Sequence, residues 1–123
     1  MICDITLEEF VNAAAKIENL INETSLDKWK DNIYLKRESI QKTGSFKWRG
    51  VLYATMIEFE KLLNNLPNTD YYIVTQSTGN HGIATIESVY TCISYYSKLY
   101  PHLTKCWNRV YPGIFTNSSV TQQ

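Results

Sequence analysis

Residues 71–82 read YYIVTQSTGNHG, and this stretch decides the predicted fold. Its first five residues, Tyr71 to Thr75, are aromatic or β-branched and predict a compact strand. The residues from Ser77 to Gly82 are polar and contain two glycines, which is typical of a loop. Apolar residues at helical spacing from Ile83 to Tyr96 then predict a helix, although the β-branched residues among them also suit a strand.

An earlier part of the chain has the same order of elements. Ile33 to Lys36 form a short apolar and aromatic run that predicts a strand, and a polar loop follows it. Ser45 is a good amino-terminal cap for a helix from about Phe46 to Asn64. One apolar face supports this helix: Trp48, Val51, Leu52, Met56, Phe59, Leu62 and Leu63.

The amino terminus predicts one more helix. Thr6 and Glu9 have the spacing of a capping box, and apolar residues at three-and-four spacing extend from Leu7 to Ile21. The order helix, strand, helix, strand, helix predicts an α/β fold with parallel strands joined by a right-handed crossover. We assign residues 1–100 to this fold and expect residues 101–123 to form a divergent, irregular tail.

The composition limits the classes of protein. With 123 residues, 44% hydrophobic and 20% charged, the chain has the values of one globular domain. Twelve basic and twelve acidic residues give no net charge, which argues against a nucleic-acid partner. The sequence predicts neither a secretory signal nor a membrane span. Three cysteines without a close pair predict reduced thiols in a cytoplasmic protein, and no metal site.

Both loops lie where open α/β sheets bind ligands, at the carboxyl ends of strands. Lys47 stands at the start of a predicted helix, where the helix dipole favours a neutral amine that can attack a carbonyl. Composition alone favours a solvated surface lysine instead. The stretch from Ser77 to Gly82 is either a simple turn or a set of exposed amides that holds an anion.

Two matched loops carry a resemblance to a known family. Residues 34–50, YLKRESIQKTGSFKWRG, and residues 74–82, VTQSTGNHG, resemble the pyridoxal-phosphate enzymes of the tryptophan synthase β-like fold (fold type II). Within them the chain is similar to serine/threonine dehydratases and serine racemase. The resemblance implies an incomplete version of that fold, a partial open parallel sheet with flanking helices. It also implies pyridoxal 5'-phosphate as the cofactor.

The resemblance implies roles for individual residues. Lys47 matches the lysine that carries the cofactor, Phe46 the residue against the pyridine ring, and Asn80 the partner of the 3-hydroxyl. Thr78 takes the position at which serine racemases have a serine that acts as acid and base, so β-elimination is implied before racemisation. The loop matched to the substrate carboxylate contains Ser77, Gly79, Asn80 and His81.

The implied reaction is β-elimination from L-serine or L-threonine to a keto acid and ammonia. The family's glycine-rich phosphate loop has no counterpart, since none of the five glycines is adjacent to another. We therefore expect a truncated family member that is inactive as this chain alone. The alternatives are a non-catalytic module that binds a full-length relative, and a half-enzyme completed by a second chain. A small amino acid is the expected substrate, with no nucleic acid or membrane as partner.

Overall fold

The computed structural model describes residues 4–115 and 120–122. Helices and strands alternate along the chain, with short 3-10 turns at Glu38–Ile40 and Pro101–Leu103. In chain order the elements are α1 (Leu7–Ile17), β1 (Leu26–Lys30), β2 (Ile33–Lys36), α2 (Lys47–Leu62), β3 (Tyr71–Thr75), α3 (Asn80–Leu99), α4 (Thr104–Trp107), β4 (Val110–Phe115) and β5 (Val120–Gln122).

The short parallel sheet with flanking helices confirms the predicted α/β class. Strand β3 pairs in parallel with β4, and β4 pairs antiparallel with β5. The predicted parallel pairing of β3 with β2 is wrong. Strand β2 pairs antiparallel with β1 in a separate hairpin. Asp31 makes the hairpin turn possible, since it adopts a positive φ of 45° that aspartate tolerates better than most residues.

The predicted helices are present with shifted ends. Thr6 and Glu9 form the predicted capping box, with each residue's side chain accepting a hydrogen bond from the other's backbone N–H. Helix α1 ends at Ile17 rather than Ile21, because Leu20 N–H donates to Ile17 O and tightens the last turn. Helix α3 runs for 20 residues, so the helical spacing prevails over the β-branched content.

Residues 101–115 form regular elements rather than the irregular tail expected there, and residues 116–119 and 123 of that predicted tail lie outside the described residues. The side chain of Trp107 is fully buried and that of Val110 almost so, which fixes α4 and the start of β4 against the core. Pro112 is tolerated inside β4 because β5, as far as it is described, pairs only with Gly113 to Phe115. Packing against the core therefore stabilises these short elements. The predicted domain boundary at residue 100 stays a prediction.

The core lies between α2, α3 and the sheet. An aromatic cluster forms its centre, with the Phe59 ring 5.4 Å from both Tyr96 and Trp107. The two helices also share a buried hydrogen bond of 2.8 Å between Thr55 Oγ1 and Ser88 Oγ. Apart from two tryptophan N–H groups and one threonine hydroxyl, the described buried side-chain polar atoms are satisfied. These contacts hold the middle and later turns of α2 and α3 against each other.

Among the described residues, no helix has the length and apolarity to cross a membrane.

Candidate active site

The start of α2 and the start of α3 line an open cavity. Its volume is about 280 Å³, and it opens to solvent. Most of the lining comes from α2 and the residue before it, and His81 comes from the first turn of α3. Its residues are Phe46, Lys47, Gly50, Val51, Ala54 and His81. The fold thus brings together two loops that lie about 35 residues apart in the sequence.

Lys47 is the first residue of α2 and is exposed to solvent. Its Nζ lies 5.3 Å from the centroid of the Phe46 ring, a distance at which an ammonium group is attracted to the ring face. Phe46, rather than the predicted Ser45, occupies the cap position, with helical backbone angles. Ser45 still contributes to this helix end, because its Oγ accepts a hydrogen bond of 3.3 Å from Lys47 N–H.

The loop before α2 is fixed by the buried side chain of Gln41. Its Oε1 accepts hydrogen bonds from the backbone N–H groups of Asn22 (2.9 Å) and Lys42 (3.0 Å). Its Nε2 donates to Asn22 O at 2.8 Å. A buried amide with these three bonds leaves little freedom to the backbone on either side. Gln41 was not predicted from the sequence, since hydrogen bonds to a distant backbone leave no local pattern.

A second polar contact ties α2 to the same loop. The Arg49 guanidinium donates to both carboxylate oxygens of Glu38, with its shortest bond at 2.8 Å. Thr24 Oγ1 donates to the same carboxylate at 2.9 Å. These bonds, that from Arg49 above all, lower the pKa of Glu38. Because Arg49 follows Lys47 by two residues, the ion pair fixes the first turn of α2.

The loop before α3 is closed by the backbone itself. A Cβ atom built on Gly82 would lie 2.1 Å from Ser77 O, so only glycine fits there. Ser77 Oγ accepts a hydrogen bond of 3.2 Å from Gly79 N–H, and Gly79 O accepts one of 3.0 Å from Ile83 N–H. The serine hydroxyl is therefore engaged within its own loop. Gly82 belongs to the quoted motif, but its role as a spacer is visible only in the structure.

The cavity unites three of the predicted site residues: Phe46, Lys47 and His81. The other four do not line it. Of these, Thr78, Gly79 and Asn80 are exposed and are the three residues directly before His81. Ser77 is half-buried. Their individual roles stay predictions.

Comparison with known proteins identifies the family. The sequence model of the family described as "Pyridoxal-phosphate dependent enzyme" matches residues 17–88, which include both loops. More than half of the chain is matched, and the chain belongs to this family.

Three relatives in this family are similar to the chain over part of their length. It is 33% identical to a serine racemase of Dictyostelium discoideum over 84% of the chain, but over only 29% of that relative. It is 45% identical to the serine racemase of Homo sapiens over 43% of the chain and 15% of that protein. It is 33% identical to an L-threonine ammonia-lyase of Thermotoga maritima over 70% of the chain and 22% of that enzyme. The chain thus spans less than a third of each of these relatives. No solved structure matches it significantly.

Family membership implies pyridoxal phosphate as the cofactor. The cavity suits part of this molecule. Lys47 supplies an amine for the aldehyde carbon, and Phe46, Val51 and Ala54 supply an apolar wall for the ring. Gly50, which lines the same cavity, leaves the space above it open, because a Cβ atom built there would meet no atom within 4 Å. The residues present therefore fit the aldehyde and the ring of the cofactor.

Proposed function

We propose that this chain supplies the lysine-bearing wall of an active site for β-elimination from L-serine or L-threonine, which yields a keto acid and ammonia. The observation that carries the proposal is the cavity that joins Phe46 and Lys47 at the start of α2 to His81 in the first turn of α3. Similarity to an L-threonine ammonia-lyase and to two serine racemases supports a small hydroxy amino acid as substrate.

Each residue has a distinct task in this proposal. Lys47 Nζ holds the cofactor, and once released it takes the α-proton of the substrate. Phe46 lies against the ring, and Asn80 binds the ring hydroxyl. The substrate carboxylate is bound by the loop that consists of Ser77, Gly79, Asn80 and His81. When bound, the cofactor supplies an electron sink for the carbanion that forms.

Thr78 is the residue that favours elimination over racemisation in this proposal. Racemisation requires a second acid/base group on the face of the substrate opposite Lys47. The threonine side chain at this position is bulkier than that of serine, because it carries an additional methyl group beside the hydroxyl. We therefore propose the ammonia-lyase reaction, with racemisation as the side reaction to be tested by analysis of D-serine.

We further propose that the 123 residues do not complete this site alone. The cavity is open to solvent, whereas efficient proton transfer requires water to be excluded. Completion by a second chain or a full-length relative would close it. We place this assembly in the cytoplasm, whose reducing conditions suit the free cysteines Cys92 and Cys106.

Cofactor binding at Lys47 is the first test. The purified chain is titrated with pyridoxal phosphate, the visible-range absorbance is recorded, and borohydride reduction followed by peptide mass spectrometry locates the adduct. We expect a band that Lys47→Ala abolishes and that Lys61→Ala retains, because Lys61 is an exposed lysine on the same helix outside the cavity. An adduct spread evenly over the surface lysines would reject the proposal.

Exposed apolar side chains favour a second candidate, a non-catalytic module that binds a full-length relative. The β1–β2 hairpin exposes five of them: Leu26, Trp29, Ile33, Tyr34 and Leu35. Mixing the chain with the Dictyostelium discoideum serine racemase and measuring the complex by analytical ultracentrifugation separates the candidates. Complex formation that Lys47→Ala leaves intact, without any Lys47-dependent band, would favour the module.

A further inference from the structure

Gly50 lies inside helix α2, where glycine is less favourable than alanine. Two ordinary reasons for a glycine are absent here. The backbone does not require it, because Gly44 is the only described glycine with a positive φ. Close packing does not require it either, because a Cβ atom at residue 50 would meet no atom within 4 Å. Gly82 differs, since the Ser77 carbonyl excludes a side chain there.

The position of Gly50 supplies a third reason. It follows Lys47 by three residues and therefore lies on the same face of the helix, one turn further along. It lines the cavity beside Lys47. It also lines a neighbouring apolar groove of about 720 Å³ between α1 and α2, together with Phe10, Ile17 and Tyr53. Residue 50 thus borders both cavities, and a side chain there would occupy open space beside them, since a Cβ atom meets no atom within 4 Å.

We propose that Gly50 is a specificity-determining residue that keeps the Lys47 cavity wide enough for the planar ring of an aromatic aldehyde. This inference rests on the proposed function, for which pyridoxal phosphate is that aldehyde. It goes beyond that function because it gives Gly50 a role of its own. The absence of a side chain at residue 50 leaves room for a ring beside Lys47, and this distinguishes Lys47 from an ordinary surface lysine. The side chain at residue 50 then sets the size of aldehyde that Lys47 accepts.

The test changes the size of residue 50 without changing Lys47. Gly50→Ala and Gly50→Val are titrated with pyridoxal phosphate, and the Lys47-dependent absorbance band gives the dissociation constant. We expect weakening of about tenfold for valine and less for alanine. Thermal unfolding controls for the fold, and we expect no loss of melting temperature in Gly50→Ala because the change favours the helix. Lys61→Val is the matched control for a β-branched residue on the same helix, and it should bind like the wild type.

Formaldehyde with borohydride is the second probe, because it methylates an amine without needing room for a ring. Methylation of Lys47 should proceed at the same rate in wild type and Gly50→Val. A parallel loss of methylation would show that the amine itself is disturbed, and it would overturn the inference. Equal pyridoxal-phosphate affinity in wild type and Gly50→Val would also overturn it, while the proposed function would stand.

Failure of the proposed function gives a different result. In that case the wild type shows no Lys47-dependent band with pyridoxal phosphate. Benzaldehyde with borohydride then tests Gly50 alone, since it presents a ring without a phosphate. Slower benzylation of Lys47 in Gly50→Val than in the wild type would support the inference, and equal rates would overturn it.

Discussion

The loops before α2 and α3 both lead into helix starts that line the Lys47 cavity, but they are held in different ways. The loop before α2 is fixed by side chains, namely the amide of Gln41 and the ion pair of Glu38 with Arg49. The loop before α3 is fixed by the contact between Gly82 and the Ser77 carbonyl. A substitution can remove a single side-chain hydrogen bond at a modest cost in unfolding free energy. A side chain added at Gly82 would instead force the backbone to move, which is a larger cost.

Gly82→Ala has the largest expected effect, because the new Cβ would lie 2.1 Å from Ser77 O and the backbone must move. We expect unfolding free energy to fall by about 3 kcal/mol or more, as for other severe backbone clashes. Urea denaturation followed by circular dichroism measures it. Gly79→Ala is the matched control, since its nearest contact, to Ser77 Oγ at 3.9 Å, is ordinary. Equal stabilities of the two variants would refute a closed backbone contact at Gly82.

Gln41→Leu has the second-largest expected effect, because it removes three hydrogen bonds at a buried position. The backbone N–H and C=O groups of Asn22 then lose their bonds to the Gln41 side chain. We expect a loss of about 2 kcal/mol in unfolding free energy. Hydrogen exchange of the Asn22 amide should accelerate in the same variant. Asn22→Ala serves as control, because the Asn22 side chain makes one exposed bond of 3.3 Å and its removal should cost well under about 1 kcal/mol. An unchanged exchange rate would argue against Gln41 as the anchor of this loop.

The same contrast explains what the sequence could predict. Strand β3 and the glycine-containing stretch after it are local patterns. The structure has the strand where it was predicted, whereas the predicted loop ends early because α3 begins at Asn80. The pairing of β1 with β2 depends on Leu26–Lys30, where charged residues interrupt the apolar pattern. Among the site residues, Lys47 and Phe46 stand out in one motif. Gln41 and Arg49 form hydrogen bonds with residues up to 25 positions away in the sequence, and no local sequence pattern predicts such bonds.

Glu38→Gln tests the ion pair of the first loop. We expect a loss of about 1 kcal/mol in unfolding free energy at pH 7, because Arg49 keeps a neutral partner. Arg49 holds the pKa of Glu38 below its ordinary value of 4.5 in the folded chain. The carboxylate therefore stabilises the fold above about pH 4.5, and this contribution is lost as the pH falls through the lowered pKa. Unfolding free energies measured from pH 7 to pH 3 should converge for wild type and variant. A constant difference over this range would show that the ionisation of Glu38 does not stabilise the fold.

Ser45→Ala has the smallest expected effect and addresses the start of α2. A serine cap is ordinarily worth about 1 kcal/mol, but here the bond from Lys47 N–H is 3.3 Å long and Phe46 occupies the cap position. We expect about 0.5 kcal/mol in unfolding free energy, by urea denaturation. Thr6→Ala is the control, since it removes the hydroxyl that accepts from Glu9 N–H in a complete capping box. A Ser45→Ala cost equal to that of Thr6→Ala would mean that Ser45 is the energetic cap. A smaller cost would leave Gln41 and the Glu38–Arg49 pair as the contacts that fix Lys47 at the helix start.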